Sequence, residues 1–253
     1  MIRLFTLILL AFLFSMPAMA ARLISQVSTD TVEITSSFAG EKLTFFGTIV
    51  PDTGSDEEVV EGTFHVVVVV LGPTQNRVAR QMSNVLGVWL NTDQVEFEKF
   101  PSYFHVLSSA KLSDISDITT LTTNFITPES HTLAALGSDI GKNIRFGREL
   151  IRLMTKEGLF GVQENAVNFM SDNFYSARLT LPSNAPPGPY IAMTYVFQNG
   201  ELIARKSEGF GVRKIGFERF LALSSVQQPL LYGLVCVVLA LFTGWLGGVL
   251  FRR

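Results

Sequence analysis

The sequence predicts a mainly β protein, an immunoglobulin-like β-sandwich with a helical insert, followed by one C-terminal transmembrane helix. Three observations lead there. Short segments with alternating apolar residues recur between Thr31 and Ser109 and again between Phe174 and Glu208, punctuated by turn residues. Between them, from about 112 to 170, the apolar positions recur at three and four, the helical period. Near the end no charged residue occurs from Leu230 to Phe251, and Arg252 and Arg253 follow at once. A run of that length matches the ~20 residues that cross a ~30 Å hydrocarbon core.

The strands follow in order. Thr31–Phe38 is β-rich, with Val32, Ile34 and Phe38, and Ala39-Gly40-Glu41 turns the chain into Lys42–Val50, which carries Leu43, Phe45 and Gly47 on one face. The pair reads as a hairpin. The acidic loop Pro51–Glu61 lacks the ordered ligand pattern of a calcium loop and reads as solvated. Val66 to Val70 is an unbroken β-branched run, the mark of a strand buried on both faces. Arg77–Met82 and Gly87–Leu90 are short strand candidates, followed by Gln94–Phe100 and Tyr103–Ser109.

In the insert, Asn143–Glu157 places Ile144, Leu150, Ile151 and Met154 in a stripe, with Phe146 and Leu153 beside it and Gly158 suited to end the helix. Leu112–Leu121 and Glu129–Leu136 add shorter helices. Strands resume with Phe174–Leu181 and Tyr190–Gln198. Asn199-Gly200 then gives a two-residue turn into Glu201–Glu208. The insert either interrupts one domain or separates two β units, at 28–110 and 171–213.

The two ends set the expected topology. Residues 1–20 read as a signal peptide: Arg3, an apolar stretch from Leu4 to Phe14, Pro17, and a cleavage site at Ala18-Met19-Ala20. A periplasmic region at 21–213, a juxtamembrane segment at 214–228, a membrane helix at 229–251 and a cytoplasmic tail at 252–253 follow from that start and from the positive charge beside the span. The expected location is the inner membrane, crossed once, with the C-terminus in the cytoplasm. Phe217, Phe220, Leu221 and Ser224 line one side of a short helix suited to the outer interface.

Composition narrows the chemistry. The net charge of −2 gives no basic face for nucleic acid, and the one cysteine, Cys236, cannot close an internal disulfide or a paired-cysteine zinc site. His65, His105 and His131 have no ligand spacing. Met82, Met154, Met170 and Met193 stand in apolar contexts that suit core filling better than copper binding. No nucleophile elbow and no phosphate loop occurs. No catalytic, cofactor or metal residue is assigned, and no enzyme activity is expected. One surface is assigned: Ala240, Gly244 and Gly248, extended by Cys236, recur every four residues on one face of the membrane helix, where small side chains let a second helix approach.

Lys214-Ile-Gly-Phe-Glu-Arg, Gln228-Pro-Leu-Leu-Tyr-Gly-Leu and Gly244 to Arg253 resemble the C-terminus of a family of alphaproteobacterial putative transmembrane proteins of unknown function. Asp30 to Gly40, Phe45-Phe46-Gly47 and Pro182 to Gly200 resemble its remaining blocks. The resemblance supplies no activity. It implies a membrane-embedded partner, such as an anion permease of the sulfite-exporter type. Three function classes are compatible with the residues: an accessory or assembly subunit of a membrane complex, a tethered solute- or metal-binding domain, and a hydrolase. In the first class the membrane helix meets a permease helix or a second copy of itself.

Overall fold

Five consecutive valines build the centre of the molecule. In the computed structural model, which describes residues 22–34, 40–51, 62–133, 135–136, 139–214 and 217–250, Val66 to Val70 are all fully buried. They belong to β4 (Phe64–Leu71). Its neighbours are β12 (Gly188–Gln198) and β7 (Phe104–Ser108), both antiparallel to it. Beyond them lie β13 (Glu201–Lys214), β2 (Thr31–Ile34) and β9 (Phe160–Gln163), giving a six-stranded sheet in the order β2-β13-β12-β4-β7-β9.

A four-stranded antiparallel sheet packs on one face of it. Its order is β1 (Arg22–Val27), β3 (Glu41–Val50), β11 (Phe174–Leu181) and β10 (Val167–Phe169). Strict alternation shows which side faces in: Leu43, Phe45, Gly47 and Ile49 of β3 are buried, and the residues between them are half-buried. The opposite face of the six-stranded sheet is covered by α1 (Leu112–Ile115), α2 (Ile118–Thr123) and a 3-10 turn at Pro128–Thr132, which bury Ile115, Leu121 and Ile126. Tyr195 of β12 points to this side and donates its hydroxyl to the Asn124 carbonyl at 2.9 Å. The valine run has no polar face because it has no solvent face: a sheet covers one side and helices the other.

The chain is mainly β, as the sequence predicts, and its strands form one unit. Segments from both sides of the insert pair with each other, β3 with β11, β4 with β12 and β2 with β13, so the alternative of two separate β units does not hold. Asn199 and Gly200 both have positive φ, 52° and 88°, as the two-residue turn requires. Strands β9 and β10 fall within the stretch 112–170 but complete the sheets, so its helices end at Lys156 with α3 (Ile140–Lys156). Gly158, at φ +72°, closes α3: its N–H bonds the Thr155 carbonyl and that of Leu159 bonds Met154, a Schellman ending.

Two expectations change. β2 and β3 are not a hairpin: β2 runs parallel to β13 in the six-stranded sheet, and β3 sits between β1 and β11 in the other. The chain thus crosses from sheet to sheet between Ile34 and Gly40, and the expected turn falls partly on residues 35–39, which lie outside those described. The short candidates around Arg77 and Gly87 are parts of one long ribbon, β5 (Thr74–Val85) and β6 (Val88–Pro101), to which β8 (Ala135–Leu136) adds a short third strand. The chain then leaves β13 through α4 (Phe217–Gln227) and enters α5 (Pro229–Leu250). Residues 1–20, most of the acidic loop and the terminal Arg pair lie outside the described residues.

Candidate functional site

The strongest candidate is a lobe at the end of the sandwich toward which β13 runs as the chain leaves for the membrane helix. Register alone places it. β4 and β13 are both antiparallel to β12, so they run the same way. β13 runs toward α4 and α5. The end of β4, Leu71, is level with Ile191, whose other partner is Gly209 of β13. From there the β4–β7 ladder continues without a break: the Gly72 N–H bonds Tyr103, the Ser102 N–H bonds Pro73, and Thr74 pairs with Pro101. The β5–β6 ribbon is thus an extension of the central strands, past the end where the chain departs for the membrane.

α3 lies along this ribbon. Lys142 in its first turn is ion-paired with Asp93 near the far end, and Met154 in its last turn is buried close to the sandwich. The Lys142 hydrogen bond holds the Asp93 carboxyl below the usual carboxylate range. Between β5 and α3 runs a groove of about 620 Å³, with Val78, Met82, Phe146, Leu150 and Leu153 on its walls and Arg80, Arg145 and Glu149 at its rim. The helix stripe differs from the sequence reading here. Phe146 and Met154 are buried, Leu150 and Ile151 are half-buried, and Ile144 and Leu153 are exposed. The missing cover over Leu153 is the groove itself.

An aromatic cluster joins lobe to sandwich. Phe100 stacks on Phe160 at 5.4 Å, Phe160 meets Phe104 at 5.5 Å, and Phe104 meets the His131 ring edge-on at 4.7 Å. His105 stacks on Tyr103 at 4.7 Å and bonds the Gly158 carbonyl through Nε2 at 3.2 Å. Burial pushes the Tyr103 and Tyr190 hydroxyls well above the usual phenol range, and pushes both histidines below the usual imidazole value. His105 Nδ1 and His131 Nε2 are buried with no hydrogen-bond partner, so protonation would add an N–H with nothing to receive it.

An acid dependence follows. The unfolded chain takes up these protons near the ordinary imidazole value of 6.5, and the folded chain only at lower pH. The unfolded state then binds more protons, so stability is full above about pH 6.5 and falls as pH drops toward the folded values, by about 1.4 kcal/mol per histidine for each unit of separation. Denaturant titration of the full-length protein in micelles at pH 8 and pH 5 is expected to show the loss. His105→Asn with His131→Asn should flatten the profile across this interval. An unchanged slope in that variant would assign the acid sensitivity elsewhere.

The other sequence candidates are scattered. His65 lies at the opposite end of β4, with Nδ1 at 3.4 Å from the Ser109 hydroxyl, beside a hollow of about 350 Å³ that Asp114 and Ser116 also line. Ser109 accepts the Val66 N–H at 3.0 Å, which pins the strand. Met154 is buried and Met193 half-buried, whereas Met82 and Met170 are exposed and fill no core. Among the described residues no group of three or more His, Cys, Asp or Glu could hold a metal. Cys236, Ala240, Gly244 and Gly248 lie exposed along α5, and a side chain added at Gly244 or Gly248 would meet nothing of this chain within 4 Å. On α4, Phe220 and Leu223 are exposed, and Leu221 and Ser224 are half-buried.

α5 carries a span from Pro229 to Val249 with a mean hydropathy of 2.1 and none of it buried. The sequence profile of the family described as "Putative transmembrane protein (Alph_Pro_TM)" matches residues 22–253. The chain belongs to this family. That membership and the exposed apolar helix agree on a transmembrane helix near the C-terminus, one such helix among the described residues. No curated protein matches the chain. Among solved structures, one described as the N-terminal domain of PorA is similar at 11% identity, covering 76% of this chain and 98% of that one, with a TM-score of 0.21. A likeness that loose carries no argument. The lobe of this Alph_Pro_TM protein was not legible as a unit in the sequence, because the outer part of its ribbon, from Gln81 to Thr92, is exposed at nearly every residue and shows little alternation.

Proposed function

We propose that this Alph_Pro_TM protein is an accessory or assembly subunit of an inner-membrane complex, such as an anion transporter, with its sandwich in the periplasm. The observation that supports this most is the lobe. A groove with apolar walls opens on the same side of the sandwich as the exit to α5, where a membrane-embedded partner would stand. The small-residue face of α5 offers a second contact within the bilayer. There water gives no driving force, and close backbone approach is the main source of attraction. The signal at 1–20 and the basic pair at 252–253 support the orientation.

Mild-detergent extraction from native membranes tests the reading. The chain is expected to co-purify in a defined complex on native gels. Gly244→Leu with Gly248→Leu should keep insertion and folding and lose that complex, because two bulky side chains hold the helices apart. If a poly-Leu span of equal length supports full assembly, α5 is only a tether and the groove carries recognition. A chain that migrates alone as a monomer from native membranes overturns the proposal.

A further inference from the structure

The far end of the β5–β6 ribbon is uncharged from Gln81 to Thr92 and carries Met82, Val85, Leu86, Val88, Trp89 and Leu90, all exposed. Neighbouring residues on a strand point to opposite faces. Val88, Trp89 and Leu90 are consecutive and all exposed, so both faces of the tip are apolar. A groove on a protein partner would cover one face of a ribbon; lipid surrounds both. The turn itself is costly. Leu86 has φ +52° and is 101% exposed. Asn or Gly takes that conformation at the first central turn position with less strain, and a leucine there buries nothing within the fold. Two polar contacts of the tip are made internally: the Gly87 N–H bonds Asn84 Oδ1 at 2.8 Å, and the Ser83 and Thr92 hydroxyls bond each other at 2.9 Å.

We infer that this tip inserts into the lipid interface of the leaflet from which α5 enters the bilayer, as a second membrane contact. Direction and reach both support it. The ribbon extends the sandwich on the side from which β13 departs for α5. Its first strand, Thr74–Val85, spans twelve residues, roughly 40 Å at ~3.3 Å per residue. Past the level of Leu71, β13 continues five residues beyond Gly209, to Lys214, roughly 17 Å at ~3.3 Å each, and α4 adds eleven residues, roughly 16 Å at 1.5 Å each. The ribbon is therefore long enough to reach the plane where α5 begins. Trp89 suits the headgroup level, where indole rings collect. With no Lys or Arg at the tip, the attraction is apolar and does not depend on anionic lipid. The inference rests on the membrane span and not on the partner reading.

The chain has two tryptophans, Trp89 and Trp245, so Trp245→Phe in the full-length protein leaves Trp89 as the sole reporter. In proteoliposomes of phosphatidylcholine containing only this chain, Trp89 emission is expected to shift to the blue and to be quenched by lipids brominated near the headgroup. Aqueous iodide should quench it several-fold less than free tryptophan, equally at low and high salt. Leu86→Asp, at a position that buries nothing, should restore iodide quenching and abolish quenching by brominated lipid while leaving the fold intact by circular dichroism. Trp89 open to iodide and untouched by brominated lipid overturns the inference. Trp89 shielded from both also overturns it, and assigns the tip to a second copy of the chain. Because no other protein is present, these outcomes are independent of whether a permease partner exists.

Discussion

Val68→Asp is expected to leave the sandwich unfolded. Val68 is fully buried in β4, paired with Leu107 on one side and Thr194 on the other, and it faces the four-stranded sheet. A carboxylate there would have the Thr194 hydroxyl as its cross-strand neighbour, too little to satisfy about four lone-pair sites. Lys206 lies in the same row two strands away, but Glu208 holds it at 3.3 Å. The new group must stay charged without a partner or take up a proton, and either costs several kcal/mol against a total stability of ~5–15 kcal/mol. Val68→Ala leaves only a cavity and should melt lower but cooperatively. Circular dichroism melts and protease resistance of the purified protein check both. A Val68→Asp protein that melts within a few degrees of wild type would show that β4 does not have a sheet on one side and helices on the other.

The valine run was legible because its signal is local. Five β-branched residues in succession say that both faces are buried, whatever covers them. The Asn199-Gly200 hairpin was legible for the same reason, since the turn requirement is written in two adjacent residues. The hairpin expected from Thr31 to Val50 failed where locality ends. Alternation says that a strand has a buried face, but not which sheet it joins. β2 finds its partner in β13, whose first residue is Glu201, far along the chain, and in parallel. No turn residue near Gly40 reports that choice.

The lobe failed to show for a different physical reason. Exposure of nearly every residue from Gln81 to Thr92 removes the period-two contrast that marks a half-buried strand, so the outer ribbon read as short fragments. Its place on the membrane side follows from the registers of four strands and could not come from any one segment. The exposed Met82 belongs to the same miss: an apolar residue was read as core because the sequence does not say what it faces. That Cys236, Ala240, Gly244 and Gly248 share one face of α5 follows from the period of a single helix, while a second helix against that face belongs to the proposed function.

Gly47→Ala is expected to destabilise the sandwich by about 1–3 kcal/mol or more, and the effect should be coupled to Tyr175. Gly47 is buried in β3 between Ser25 of β1 and Tyr175 of β11. A methyl group built there would stand 2.6 Å from the Tyr175 hydroxyl oxygen and 2.9 Å from Cζ, and closer still to the Ile24 carbonyl oxygen. The first contact is with a side chain and can be removed; the last is with backbone in a paired strand and cannot move without disturbing the β1–β3 ladder. The Tyr175 hydroxyl is buried with the Thr194 and Ser25 side chains close by but no well-formed hydrogen bond, so Tyr175→Phe alone should change stability by less than about 1 kcal/mol. In Gly47→Ala with Tyr175→Phe the 2.6 Å contact is gone and the backbone contact remains, so part of the loss should return and part persist. A double-mutant cycle by denaturant unfolding measures the returned part directly. Additivity within about 0.3 kcal/mol would mean that the phenol does not close over Gly47. A Gly47→Ala protein as stable as wild type would mean that β1, β3 and β11 do not pack in this register.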